Sequence, residues 1–448
     1  MKSNFYLNIQ KNKWLHPVLL AVCALAAYYP VFGHDFLYYW DDQWQVFNHY
    51  TESGYTLNNF WAIFTEFYGE QYSPVNQVMY LVIYSIFGYK PFWFHATCLL
   101  LHISNAILVY LCINSLLKIN RRFETNNKNT VAFLTALIFA IHPLNVEAVA
   151  WISASKIVVY SFFYLLATLS FISFLRIGKI KYYFITLLLF VFSFFGKEQA
   201  VIFPVWLLLI YWLAGYWAGK IGEMVEIGEI GEMGKEAEAG KTNTKKVWLA
   251  IMPFFVLSFA FGIITILSQT GDGSLVGHGG YPFWQRIVFA CYSFTEHFQK
   301  TVFPFKLLYL YPFPSVQGEP LPQWMLFYPL ILTVLLISLW KLLIKNNVVL
   351  FCLMFFTIHI SLTTHIISMQ RFVITADRYV YLASIGIYFA ISYYFVFFMK
   401  KLKGLKKTGI VIAFIAYLLY FGIYTNIRSR VWRDVETLNK EIIELKKL

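Results

Sequence analysis

An all-α integral membrane protein is the fold class that the sequence predicts, and three observations carry it. Of 448 residues, 59% are apolar and only 13% charged, about half the charge of a soluble domain. The apolar residues fall in continuous runs of roughly 15–25, the length of spanning helices, not in the alternating segments of about ten that a membrane barrel needs. Aromatic residues make up 20%, with 32 Tyr and 14 Trp, ring types that settle at lipid–water interfaces. This composition excludes a disordered chain, a collagen-like rod and an ordinary soluble enzyme. The net charge of +13 does not point to nucleic acid, because the cations are segregated along the chain.

The runs place spans at 14–33, 91–117, 130–144, 157–175, 182–196, 199–217, 247–268, 325–340, 348–367, 379–399 and 409–425, about eleven in all. The basic N-terminus (Lys2, Lys11, Lys13) precedes a segment without a convincing small-residue cleavage site, so the first helix is expected to be retained. With that terminus cytoplasmic, the inner segments hold 22 Lys/Arg and the outer ones 8, omitting the tail after residue 425. That asymmetry obeys the positive-inside rule and puts the C-terminus outside. Residues 286–303 carry Glu296, His297 and Lys300. A span there would invert the later loops, so an embedded or surface-lying helix is expected. The Gly-punctuated repeat within 218–246 reads as a cytoplasmic linker. The five Cys all lie in apolar runs without a CxxC, which fits buried thiols.

The outer region 34–90 is too polar to span and too aromatic for a loose loop. Leu57, Phe60, Trp61, Phe64 and Phe67 recur at helical spacing, as do Val78, Met79, Val82 and Ile86. Two amphipathic interfacial helices are expected there, able to roof a cavity. Just before them stand Asp41 and Asp42. A carboxylate in a dry setting can accept a proton from a hydroxyl nucleophile; a solvated helix cap is the plainer alternative.

Three more outer turns gather ionisable groups. HPLNVEAVAWISASK (142–156) holds His142, Glu147, Trp151 and Lys156, with Glu147 and Trp151 on one helix face. Glu147 is a functional candidate at membrane depth, or a carboxylate neutralised by a neighbouring Lys. GKE (196–198) holds Lys197 and Glu198, where Lys197 serves either the site or as a snorkelling anchor. MQRFVITADRYVYLASIG (369–386) holds Asp377, Arg378 and Tyr379. Arg grips phosphate through parallel hydrogen bonds; a local Asp–Arg pair is the alternative. His95, Cys98, His102 and Asn105 share one face of the second span. They fit a polar seam between helices better than a soft-metal site. GDGSLVGHGG (271–280) lacks both nucleotide-cradle patterns and reads as a lid or connector. Acidic and basic groups at one membrane face, without nucleotide motifs, suit chemistry on a lipid-carried phosphate.

The segments DFLYYWDD (35–42), 72–106, HPLNVEAVAWIS (142–153), GKEQAVIFP (196–204), FPFKLLYLYPFP (303–314), ADRYVYLASIG (376–386) and RSRVWRD (428–434) together resemble a known family. They are similar to the GT-C-type membrane glycosyltransferases, in particular the transmembrane domain of the transmembrane and tetratricopeptide-repeat O-mannosyltransferases and their bacterial relatives. The resemblance implies inverting, metal-independent transfer of a sugar from a polyprenyl- or dolichyl-phosphate donor, which is a co-substrate; no cofactor is expected. It maps the catalytic base onto Asp41 or Asp42. It also carries over His142, Glu147, Lys197, Glu198, Asp377, Arg378 and Tyr379. Of these, Arg378, Lys197 and Tyr379, with Lys156, are expected toward the donor phosphate. Glu147, His142, Glu198 and Asp377 are expected to orient groups or meet the acceptor.

Three departures stand out. Ser73 precedes Pro74 where the family commonly has Arg, Ile157 follows Lys156 where it commonly has Asp, and 426–448 reads as one amphipathic helix where tetratricopeptide repeats are expected. The expected organisation is thus a GT-C-like membrane domain at 1–425 and a short tail at 426–448, with no repeat domain. The expected activity is transfer of a mannose-like hexose to a hydroxyl of a protein or glycan acceptor. A flippase or transporter of lipid-linked saccharides and an inactive assembly partner are the alternatives. Without any N-x-[ST] sequon, the chain is expected in a bacterial cytoplasmic membrane rather than the endoplasmic reticulum.

Overall fold

The structure, a computed structural model, describes residues 14–69, 71–122, 127–215, 244–270, 281–366 and 373–445. Most of the 218–246 repeat and the whole 271–280 loop lie outside the described residues. The longer helices are α1 (Leu15–Tyr28), α2 (Leu57–Thr65), α3 (Pro74–Phe87), α4 (Pro91–Ile119), α5 (Lys128–Ile141), α6 (Lys156–Ile177), α7 (Ile180–Gly196) and α8 (Phe203–Leu213). They continue as α9 (Thr244–Thr270), α10 (Phe283–Val302), α11 (Phe327–Lys345), α12 (Asn347–Ile360), α13 (Ser384–Lys401), α14 (Gly404–Val431) and α15 (Val435–Leu445).

Every stretch read as a span is largely helical, but length separates them. Among the described residues six helical segments are long and apolar enough to cross a membrane: 15–33, 91–119, 152–177, 247–269, 323–345 and 404–431. A seventh joins α5 to Pro143–Ala150 across a 51° bend. Pro143 accounts for the bend, since it drives His142 into an extended conformation (φ −79°, ψ 133°). Three of the remaining expected spans, at α7, Glu198–Leu213 and Asn347–Thr363, are apolar helices of under 18 residues. The expected span at 379–399 starts late, because residues 377–380 form a 3₁₀ turn and the helix begins at Ser384. The chain is a multi-pass membrane protein, and the described residues hold six or seven full-length spans rather than the eleven expected.

Burial orders the bundle. Two-thirds of the apolar window of α6 is inside the protein, against 6% for α11 and 11% for α14. Lipid supplies no hydrophobic drive between helices, so close packing and polar contacts hold them. Gly386 permits one such approach, since a Cβ there would lie 2.9 Å from the Cys352 carbonyl oxygen on α12. The His102 stripe is a seam of this kind. His102 Nδ1 lies 2.8 Å from the Tyr381 hydroxyl and its Nε2 3.1 Å from the Ala140 carbonyl; Asn105 Nδ2 donates to Val158 O at 3.0 Å.

Both amphipathic helices expected in the first outer region are present as α2 and α3. Thr56 caps α2 by accepting from Asn59 N at 3.1 Å, and Pro74 opens α3 in the first turn, where its missing N–H is harmless. Helix α10 occupies the ambiguous 286–303 stretch. Its buried His297 lies 3.2 Å from the Ala376 carbonyl, which docks it under the 377–380 turn. Strand β1 (Tyr311–Pro312) pairs antiparallel with β2 (Val373–Thr375) beside that turn.

The tail differs from the single helix expected over 426–448. Helix α14 continues through Val431, the chain breaks at Trp432–Asp434, and α15 follows. The break is a docking point. Asp35 N donates to Arg433 O at 2.8 Å, and the fully buried Trp432 stacks on Trp151 with centroids 5.7 Å apart. The tail therefore ties the first outer region to the 142–156 hairpin.

Candidate functional site

One end of the bundle collects the charged turns, because helix direction alternates. The ends of α1, α5, α7 and α14 meet the starts of α4, α6 and α13 there. The first outer region covers this end.

Asp41 is the N-cap of a short helix, Asp42–Gln45, and Asp42 is its first residue. Asp42 points inward and is fully buried. Its Oδ2 accepts from Leu37 N at 2.9 Å, and its Oδ1 accepts from Ser153 N at 2.9 Å and from the Ser153 hydroxyl. Burial pushes its carboxyl up to about 6, although the Ser153 and Leu37 donors pull the other way. All this anchors the outer region to the 142–156 hairpin and leaves no oxygen of Asp42 without a donor. Asp41 is half-buried, and no side-chain hydrogen bond is formed by it among the described residues. Its carboxylate lies within electrostatic reach of Lys156 and Arg378.

Asp377 and Arg378 likewise part company. They do not pair with each other. Asp377 is buried and accepts from Arg428 Nη2 at 2.6 Å and from the Tyr311 hydroxyl at 2.9 Å. Arg428 also donates to the carbonyls of Leu307 and Leu308 at 2.6 and 2.7 Å. Arg378 turns the other way. Its Nη1 pairs with Glu147 Oε1, and its backbone N–H donates to Glu147 Oε2 at 2.8 Å. The guanidinium sits over the Trp151 and Tyr379 rings at 5.3 and 5.1 Å. Although burial alone would lower it, Glu147, Tyr379 and Asp41 shift Arg378 above its ordinary value, so it stays charged.

Lys156, at the start of α6, donates to the Gln71 side-chain carbonyl. Lys197, Glu198, Asp41 and Arg378 all act on its charge. Lys197 pairs with Glu198 at 3.1 Å, with both side chains partly open. Asp41, Lys156, Lys197, Glu198, Arg378 and Glu147 thus form one cluster. His142 stands apart from it: buried, it packs against Tyr388 and Phe421, and its Nδ1 accepts from Leu144 N at 3.3 Å. No group of three or more metal-ligating side chains is present among the described residues.

Sequence reasoning gave no role to Arg428, Ser153, Tyr311 or Gln71. Only Arg428 left a signal, as a cation at the end of an apolar span. Ser153, Tyr311 and Gln71 are ordinary in sequence, and only the fold brings them to their carboxylate or lysine.

The chain matches no established family model. Over 143 residues it is 34% identical to human "Protein O-mannosyl-transferase TMTC1" and equally to the mouse protein. The alignments cover 29% of this chain, and 15% and 14% of those relatives, so only about a seventh of their length is matched. Among solved structures, the chain is similar to the Archaeoglobus fulgidus oligosaccharyltransferase crystallised with a tethered acceptor peptide. That likeness has a TM-score of 0.47 and 11% identity, over 94% of this chain and 55% of that one. The curated matches bear out the resemblance to membrane O-mannosyltransferases read from the ordered motifs.

Proposed function

We propose that this membrane protein is a GT-C-type glycosyltransferase that moves a hexose from a polyprenyl-phosphate donor to an acceptor hydroxyl, with inversion and without a metal. One observation carries the reading: a half-buried Asp41 carboxylate without a side-chain hydrogen bond lies within electrostatic reach of Lys156 and Arg378, and Lys197 acts in turn on Lys156. The similarity to the human and mouse O-mannosyl-transferases supports the reaction class. The ordered motifs support the donor.

In the proposed step the acceptor hydroxyl gives its proton to Asp41 as its oxygen attacks the anomeric carbon. The bond from that carbon to the phosphate oxygen breaks on the opposite side, and its electron pair leaves with the phosphate. The leaving group gains one negative charge, which Arg378, Lys156 and Lys197 meet. Glu147 and the rings of Trp151 and Tyr379 hold Arg378 in place. Asp42 and Asp377 brace the two turns, and Glu198 orients Lys197. The acceptor is a protein or glycan hydroxyl. The site faces the outside of a bacterial cytoplasmic membrane, with the N-terminus inside.

The test is release of free polyprenyl phosphate from a panel of polyprenyl-phosphate hexoses by the purified full chain, with EDTA present. Release from at least one donor, reduced about 10²–10³-fold in Arg378→Ala, supports the reading. Binding of donors without release by the wild type, together with transport of them across vesicles, would favour a carrier instead.

A further inference from the structure

The first outer region contains a cleft that the proposed chemistry does not use. It opens between the Asp42–Gln45 helix, α2, the bridged residues Tyr68 and Gln71, and the start of α3, with a volume of about 40 Å³. At roughly 10–15 Å³ per water-sized group, that admits three or four such groups and no whole ring. Its occupant therefore inserts one edge and leaves the rest outside.

The lining defines the chemistry of that edge. Trp44 and Tyr68 form an aromatic wall, with ring centroids 6.2 Å apart. Gly69 keeps Trp44 in place, because a Cβ at Gly69 would run into the indole ring. Gln45, Glu66, Gln71 and Ser73 line the rest of the cleft with amide, carboxylate and hydroxyl groups. Contacts behind the lining hold three of these side chains. Gln45 is 6% exposed and donates through Nε2 to Gln71 Oε1 at 3.3 Å. Gln71 Oε1 is also held by Lys156. Glu66 Oε2 accepts from the Tyr50 hydroxyl at 2.6 Å. These lining groups mix donors and acceptors, which complements vicinal hydroxyls. The Glu66 carboxylate, with no cation among the described lining residues, disfavours an anion. Lys156 lies just beyond Gln71, and Asp41 starts the helix that ends in Gln45.

We infer that this cleft binds the hydroxyl-bearing edge of a pyranose ring and holds it beside the Asp41–Lys156 cluster. The inference deepens the transferase reading and rests on it for the role of that sugar. The ring belongs either to the donor hexose or to an acceptor glycan, and the same hydroxyl chemistry serves both.

Saturation-transfer NMR on the detergent-solubilised full chain, with a panel of methyl hexopyranosides, reads the cleft directly. Wild type and Asp41→Asn are expected to give saturation transfer to at least one glycoside. Gln45→Ala is expected to weaken it about five- to tenfold, and Ser73→Leu, which fills the cleft from its rim, to abolish it. If donor hydrolysis without acceptor shows a KM raised about five- to tenfold in Gln45→Ala, the seated ring is the donor's. If that KM is unchanged and the KM for a glycan acceptor rises instead, the ring is the acceptor's. Glycoside binding lost in both variants of a protein that hydrolyses no donor keeps the cleft and rejects the transferase reading. No saturation transfer in wild type, equal transfer in both variants, or a response only to an alkylammonium probe would overturn the inference.

Discussion

Two turns at the same end of the bundle solve one problem in the same way. In the 41–42 turn, Asp42 is buried and given a donor on each oxygen, while its neighbour Asp41 stays half-buried and unbonded. In the 377–378 turn, Asp377 is buried against Arg428 and Tyr311, while its neighbour Arg378 faces Glu147 and the cluster. One residue of each pair fixes the backbone and the other is presented. Short helical turns rotate consecutive side chains by roughly 100–120°, so adjacent charges point in different directions. A presented charge is only as well placed as the buried neighbour that anchors it.

The largest expected effect breaks the first turn's symmetry. Asp41→Asn is expected to lower the transfer rate about 10²–10⁴-fold with an unchanged unfolding temperature. Asp42→Asn is expected to do the reverse. An amide offers one acceptor oxygen where the carboxylate uses two, so Leu37 or Ser153 loses its partner, at about 1–3 kcal/mol. Thermal unfolding and rate per folded molecule, measured side by side, check both.

The second turn gives the next effect. Arg428→Met strands Asp377 in a dry site, and removing one partner of a buried pair costs about 3–5 kcal/mol. Arg378→Lys keeps the charge and loses the paired geometry, so activity falls while unfolding barely moves. Denaturation of the two variants in one detergent distinguishes them.

A smaller effect is pH-dependent. Asp42 sits at about 6 in the folded chain against an ordinary 3.8. Its contribution is therefore fully present below about pH 4 and lost as pH rises through about 6, by up to ~3 kcal/mol. Unfolding temperatures between pH 4 and 8 should lose that part of their slope in Asp42→Asn. The smallest effect lies in the bundle, where Gly386→Ala crowds the Cys352 carbonyl and is expected to cost about 1–3 kcal/mol without touching the rate per folded molecule.

Most of the architecture was legible because composition and run length are direct consequences of a lipid solvent. The two amphipathic helices, α2 and α3, were legible from spacing, and α10 from the charges it carries. The span count was not, since apolar runs such as 182–196 and 348–367 look alike whether or not their helices are long enough to span. The break at Trp432–Asp434 was hidden because its cause is a partner 398 residues away in sequence, Asp35 N on Arg433 O. The site was legible as a set of turns but not as roles. Nothing local distinguishes Asp41 from Asp42, or shows that Asp377 belongs to Arg428 rather than to Arg378.

The most direct test is a transfer assay on Asp41→Asn and Asp42→Asn, using the full chain, one accepted polyprenyl-phosphate hexose and EDTA. Rates are normalised to the folded fraction. The account predicts that Asp41→Asn releases almost no polyprenyl phosphate while Asp42→Asn retains most of the wild-type rate. An active Asp41→Asn beside a folded but inactive Asp42→Asn would contradict it.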